Sequence, residues 1–452
     1  MKPSIPKGTR DFLPAEVYKR KYIFDVIESV YQKYGYLPIE TPAMEALESL
    51  TGKYGEEGDK LLFKILNNGD YLGKADLEAL EARDSDKLVY SISKRGLRYD
   101  LTVPFARFVV MHQNDLTFPF KRYQIQPVWR ADRPQKGRYQ EFWQCDADVV
   151  GSDSLTYEAE IIEMLYDVYE RLGIDVLIRI NNRKILNGIA EVCGIANKFM
   201  DMTIAIDKLD KIGREGVIKE LDKKEIDRLT AIKLLDIVTS TDIDEIRYAI
   251  NESEIGRKGI AELDAIFRYL DGRKSMEKVT IDITLARGLN YYTGCIFEVV
   301  HNPESYPDLT MGSISGGGRY DNLTEVFGMK GNSGVGISFG ADRIYDVLET
   351  LDLYPKTIQK SLDILLVAFD SPSHDHAHQV LLQLRDRNVK ADIYPEPAKM
   401  KKQLKYADDR QIPFVGIIGD NEIKENKVML KNMKSGEQES LHIDSLVQKI
   451  TA

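Results

Sequence analysis

Two β-rich runs, residues 120–129 and 139–150, flank a short basic loop, and no other stretch limits the fold as much. Strands this close in sequence pair antiparallel, as a hairpin. The loop between them holds Arg130, Arg133, Lys136 and Arg138, with Pro134 and Gly137 to bend the backbone. Guanidinium groups clustered at a hairpin tip can grip phosphates through paired charge-assisted hydrogen bonds. A solvated tip with surface arginines is the plainer reading of the same residues. The return strand weighs against it. Residues two apart share a strand face. Phe142, Gln144, Asp146 and Asp148 therefore lie together, and Glu141, Trp143, Cys145, Ala147 and Val149 lie opposite. The second set is the core candidate. The first is an aromatic plate with an amide and two carboxylates, costly to bury without partners, so it faces water or lines a ligand site.

With 452 residues, 43% hydrophobic and 30% charged, the chain has an ordinary soluble composition and length for more than one domain. A net charge of −10 argues against general nucleic-acid binding but allows local basic patches. Cys145, Cys193 and Cys295 make no metal-ligand spacing, nor do the six histidines. A reducing compartment and no structural metal are expected. No apolar run reaches membrane-spanning length, and residues 1–16 lack the marks of a signal or transit peptide, so a cytoplasmic location is expected.

Helical periodicity runs over residues 14–34 and stops at Gly35. The proline-bearing piece 36–42 reads as an edge or interface strand. Residues 97–103 alternate so that Arg98, Asp100 and Thr102 would share a strand face. A helix over 156–172 ends at Gly173, and a strand over 175–181 follows. Residues 183–275 are charged and helix-rich, and are expected to form a small insertion packed on itself. Strands are predicted over 279–286, 295–301 and 334–339, with a helix from 341. Gly316-Gly317-Gly318 reads as a bend or as a place of close backbone approach. The pattern changes near residues 355–361, beyond which strand and helix alternate as in a small α/β domain. The expected division is a core over 1–355, including the insertion, and a domain over 362–452.

Several chemistries are excluded. There is no GxxxxGK[ST] phosphate loop, no Ser-His-Asp arrangement and no GxSxG elbow. Gly334-Val335-Gly336-Ile337-Ser338-Phe339-Gly340 has the wrong spacing for a dinucleotide fingerprint and sits within a strand. Asp342 and Arg343 follow it and are expected to face a ligand near those glycines, or else to be a satisfied surface ion at a helix start. Lys399, Lys401, Lys402 and Lys405 make a solvated helix face or a phosphate-backbone contact.

These residues taken together resemble the histidine-specific family of class II aminoacyl-tRNA synthetases. Residues 38–42 are similar to the first class motif, 130–144 to the second and 334–343 to the third. Leu285-Ala286-Arg287-Gly288-Leu289-Asn290-Tyr291-Tyr292-Thr293-Gly294 and Gly316-Gly317-Gly318-Arg319-Tyr320-Asp321 are similar to the histidine-specific signals, and residues 7–11 and 97–104 match as well. The resemblance implies an α+β fold. It has an antiparallel catalytic sheet, the helical insertion and a C-terminal anticodon-binding α/β domain. It also implies a homodimer that uses ATP, with accompanying Mg2+, to join L-histidine to tRNA(His).

By the same resemblance, Arg130 holds the α-phosphate, Phe142 and Arg343 sandwich the adenine beside Asp132, and Arg138 and Arg343 reach the outer phosphates. Asp100, Thr102 and Gln144 bind the α-amino group. Asp148, Tyr291 and Tyr292 address the imidazole, and Arg287 stands by the carboxylate and α-phosphate. Arg133 and Gln135 read the tRNA acceptor end. Asn290 and Asp132 depart from the family pattern, as does Asp148, which stands where part of the family has Glu. Two rivals are a non-enzymatic regulatory relative of such synthetases and a class II synthetase for another amino acid.

Overall fold

The β-rich runs pair as a ten-residue hairpin, Phe120–Trp129 against Glu141–Val150, in register from Phe120–Val150 to Trp129–Glu141. In this computed structural model, residues 2–52, 55–135, 137–286, 292–355, 358 and 362–451 are described. Two bodies emerge, Met1–Tyr354 and Pro355–Ala452. In the first, the hairpin lies in an eight-stranded sheet. The order is Leu37–Pro38, Phe120–Trp129, Glu141–Val150, Gly334–Gly340, Ser315–Tyr320, Cys295–His301, Val176–Asn182 and Val279–Ile281. All pairings are antiparallel except those of the two edge strands. The fold is α+β, and the proline-bearing piece is an edge strand, as its missing amide donor requires.

Strand alternation divides the sheet into two chemistries. One rung carries Tyr123, Ala147, Ile337, Gly317, Phe297 and Ile180. With its neighbours it is buried under the helices Pro14–Lys33, Thr156–Leu172 and Glu254–Leu270. Gly317 has to be glycine here: a Cβ would sit 2.1 Å from the Gly336 carbonyl oxygen. The next rung, on the opposite face, carries Gln124, Asp146, Ser338, Gly316, Glu298 and Arg179.

Several expectations need correction. The glycine run is no bend; it lies inside the strand Ser315–Tyr320, and only its close-approach reading survives. The strand expected over 97–103 ends at Leu97, and a helix begins at Thr102. Asp100 accepts the Val103 amide at 3.1 Å, which turns the chain into that helix. The strand from Val279 stops at Ile281. The helical insertion does pack on itself, Arg183–Val192 against Glu254–Leu270, but it is not a separate core: Ile185, Leu234, Leu263 and Leu270 share one cluster with Ile27, Phe297 and Phe339. Its helices Arg183–Val192 and Glu254–Leu270 lie directly against the sheet, which periodicity alone cannot reveal.

The second body is a five-stranded sheet ordered Ala391–Ile393, Ile364–Ala368, Phe414–Ile418, Val428–Asn432 and Gln438–Leu441. Its first three strands are parallel and its last two antiparallel. Ile364–Ala368 is buried on both faces, as its unbroken apolar run predicts.

Candidate active site

The polar sheet face forms a floor. Arg122, Gln124, Gln144, Asp146 and Asp148 are all buried on it, so this face does not simply look into water. A cleft opens above it, lined by Thr102, Asp146, Asp148, Tyr292, Gly316, Tyr320, Gly336 and Ser338 among others. Glycine makes the space. At Gly336 a Cβ would lie 1.9 Å from Asp148 Oδ1, so the carboxylate can rest across the strand only because no side chain stands there. At Gly318 a Cβ would meet the Tyr292 ring at 2.9 Å.

Asp148 is held from two sides. The Tyr320 hydroxyl donates to its Oδ1 at 2.7 Å, and the buried Arg122 guanidinium lies 2.7 Å from its Oδ2. Two further nitrogens of Arg122, Nε and Nη1, have no protein partner. Gln144 donates to the Ser338 hydroxyl at 2.7 Å, while its Oε1 is buried without a partner. Burial raises the pKa of Asp146 to about 7, opposed by Arg122 and reinforced by Asp148. Burial raises Asp148 too, against Arg122 and the Tyr320 hydrogen bond.

Beside the cleft stand the arginines. The Arg130 guanidinium lies 4.2 Å from the Tyr99 ring and 5.1 Å from Phe142, and its Nε donates to the Tyr99 carbonyl at 3.1 Å. Arg343 donates from Nε to the Gly137 carbonyl at 3.0 Å and from Nη1 to the Ser313 carbonyl. Its pKa is lowered by burial first, then by Arg138 and Arg130. Arg343 is thus held near two other cations, an arrangement that favours a polyanion. Asp132 lies 3.9 Å from Arg138. Arg133, Gln135 and Arg138 are exposed at the hairpin tip, where backbone bonds between Gln135 and Arg138 close the turn.

The structure separates some residues that alternation had grouped. Arg98 turns away from Asp100 and Thr102, spending its guanidinium on the Thr41, Pro42 and Pro127 carbonyls and on Gln126. Asp100 and Thr102 reach the site from a helix start instead of a strand. Asp342 does not face a ligand. It accepts from the Trp143 amide at 2.8 Å and pairs with Arg10 and Arg20, so it is a satisfied ion, though a buried one and not the surface ion of the alternative reading. Arg287, Asn290, Tyr291 and Lys136 lie outside the described residues.

Arg122, Tyr320 and Ser338 were not foreseen as site residues. The signal was present: Tyr320 is two and four residues past Gly318 and Gly316 and shares their face, and Arg122 alternates with Gln124 and Gln126. What joins Arg122 to Asp148 is strand register, which alternation does not supply. Among the described residues no cluster of His, Cys, Asp and Glu is arranged to hold a metal ion, and no helix is long and apolar enough to cross a membrane.

Comparison with known proteins supplies the remaining step. The family model for histidyl-tRNA synthetase matches residues 8–77 and 78–344, and an anticodon-binding domain model matches 363–452. Histidine–tRNA ligases of Phocaeicola vulgatus and Bacteroides fragilis are each 54% identical, over 100% of this chain and 99% of theirs. The crystal structure of histidyl-tRNA synthetase from Nostoc sp. PCC 7120 superposes with a TM-score of 0.81 at 32% identity, covering 100% of this chain and 99% of that one. With an antiparallel sheet, an acid-floored cleft flanked by arginines and full-length relatives of one kind, the chain belongs to the histidyl-tRNA synthetase family.

Proposed function

We infer that this chain ligates L-histidine to tRNA(His), forming histidyl-adenylate from ATP and releasing AMP and pyrophosphate. The observation that carries the reading is the juxtaposition of the Arg130–Arg138–Arg343 group with a buried cleft floored by carboxylates and an unpartnered amide oxygen. The first suits a triphosphate and the second a small molecule rich in N–H donors.

Arg130 holds the α-phosphate, Phe142 and Arg343 enclose the adenine beside Asp132, and Arg138 and Arg343 meet the outer phosphates. Gln144 Oε1, with Asp100 and Thr102, receives the α-ammonium group. Asp148, braced by Arg122 and Tyr320, addresses the imidazole together with Tyr291 and Tyr292. Arg287 stands by the reacting carboxylate. The histidine carboxylate attacks the α-phosphorus in line and pyrophosphate leaves; the tRNA 3′ end then takes the acyl group and AMP leaves. Mg2+ accompanying ATP would neutralise charge on its phosphates. No protein nucleophile is required; positioning and fixed charge lower the barrier.

Arg133 and Gln135, exposed at the tip, are placed to meet the acceptor end. The second body reads the anticodon, and exposed Lys399, Lys401, Lys402 and Lys405 offer it phosphate contacts. We place the enzyme in the cytoplasm as a homodimer. The regulatory-relative reading is disfavoured by the presence of Arg130, Arg343 and the whole second body. Charging assays with each amino acid test the proposal. Histidine alone should be transferred; transfer of another amino acid, or of none, overturns it.

A further inference from the structure

The carboxylate best neutralised on the cleft floor is Asp148, which has both Arg122 and the Tyr320 hydroxyl. Asp146 is different. It is fully buried, lines the same cleft, takes a hydrogen bond from Ser338, and keeps Oδ1 without any partner. The Ser338 hydroxyl that bonds it in turn accepts from Gln144, so the carboxylate is fixed in orientation. An unpartnered buried carboxylate oxygen in a cleft is an expensive feature unless a ligand satisfies it. Asp146 lies between Gln144 and Asp148 on one strand face, within roughly 7 Å of each, so a histidine spanning those two residues passes directly over it.

We propose that Asp146 is a second ring-recognition carboxylate, whose free oxygen and one nitrogen of the substrate imidazole hold a single proton between them. This rests on the family reading above. The substrate's ammonium group already has Asp100, Thr102 and Gln144, which leaves the ring as the partner for Asp146. The complex then contains one proton on the pair, whether it arrives as imidazolium meeting carboxylate or as neutral imidazole meeting carboxylic acid. No other bond changes. The charged groups around Asp146 set its balance. Arg122 from the neighbouring strand favours the ion, whereas Asp148 on its own strand and Asp100 at the helix start oppose it. Arg98 from the loop before that helix, and Tyr31 and Cys145 from behind the sheet, also feel its charge. Burial dominates and raises Asp146 to about 7, within reach of an imidazole of about 6.5, so one proton can serve both.

The test is histidine-dependent ATP–pyrophosphate exchange by the full chain and by Asp146→Asn, which keeps shape and removes the titrating group. In the wild type, deprotonation of both partners should raise the histidine KM as pH rises. The ratio of wild-type to variant KM for histidine should grow about tenfold per pH unit between roughly pH 7.5 and 8.5. The ATP KM should stay within about twofold at each pH. Parallel histidine profiles overturn the proposal. They would mean that Asp146 contacts the ammonium group, which stays charged over this range, or is merely structural. Should the wild type show no histidine-dependent exchange at all, the family reading itself fails instead.

Discussion

Gly336→Ala isolates the geometric requirement of the cleft. The new Cβ would stand 1.9 Å from Asp148 Oδ1 and 3.0 Å from the Ala147 carbonyl oxygen, where ordinary contact begins at 3.4 Å. The Asp148 carboxylate must therefore move by about 1.5 Å, because the strand backbone cannot. That movement breaks the 2.7 Å bond from Tyr320 and separates the acid from Arg122. A lost hydrogen bond to a charged group costs about 1.5–3 kcal/mol, and a 1 Å misplacement of a positioning group costs roughly a hundredfold in rate. In pyrophosphate exchange, kcat/KM for histidine should fall by about two orders of magnitude, with the KM for ATP little changed. Near-normal histidine kinetics in Gly336→Ala, in a protein that keeps its far-ultraviolet circular dichroism, would refute the reasoning.

Arg130→Ala should lower the exchange rate by about 10²–10³-fold while the far-ultraviolet circular dichroism is kept; a loss below about tenfold would remove Arg130 from the phosphate site. Arg319 donates to the fully buried Glu158, the Ser333 hydroxyl and the Ser152 and Ser154 carbonyls, away from the cleft. Arg319→Met should destabilise the first body by about 3–5 kcal/mol through the stranded carboxylate, seen as a lower urea midpoint, and a second change of Glu158→Leu should recover part of it. The stability of the ligand-free protein carries a pH signature from Asp146. Its folded pKa, about 7, exceeds the ordinary 3.8, so the folded state binds the proton more tightly. The stability this provides is present at low pH and is lost as pH rises from about 4 to 7, by at most about 4 kcal/mol. Asp146→Asn should therefore gain on the wild type in urea midpoint as pH rises from roughly 4.5 to 8; a constant difference would contradict the burial of an ionisable group there.

Local pattern determined much of this protein. The hairpin strands, the helix ending at Gly173 and the unbroken apolar strand from Ile364 follow from period, caps and turns, because each depends on neighbours in sequence. Alternation also placed Gln144, Asp146 and Asp148 on one face and Cys145, Ala147 and Val149 in the core. The last antiparallel pair, Val428–Asn432 and Gln438–Leu441, leaves little trace in the sequence, since the second strand is largely exposed and has no apolar rhythm.

What tertiary structure alone decided is who meets whom. Arg122 sits opposite Asp148 through the register of the hairpin, and Gly336 lies beside Asp148 on a strand from a distant part of the chain. Whether Asp342 pointed to a ligand or to Arg10 and Arg20 depended on where residues more than three hundred positions away were folded. Burial of the polar floor likewise came from elements laid over the sheet, such as the helix Thr102–Met111, whose Phe105 ring lies 4.3 Å from the Arg122 guanidinium, and burial is what moves the Asp146 proton affinity toward that of an imidazole. Sequence spacing fixes the face a side chain takes; only packing fixes its partner and its dielectric surroundings, and the chemistry resides in those.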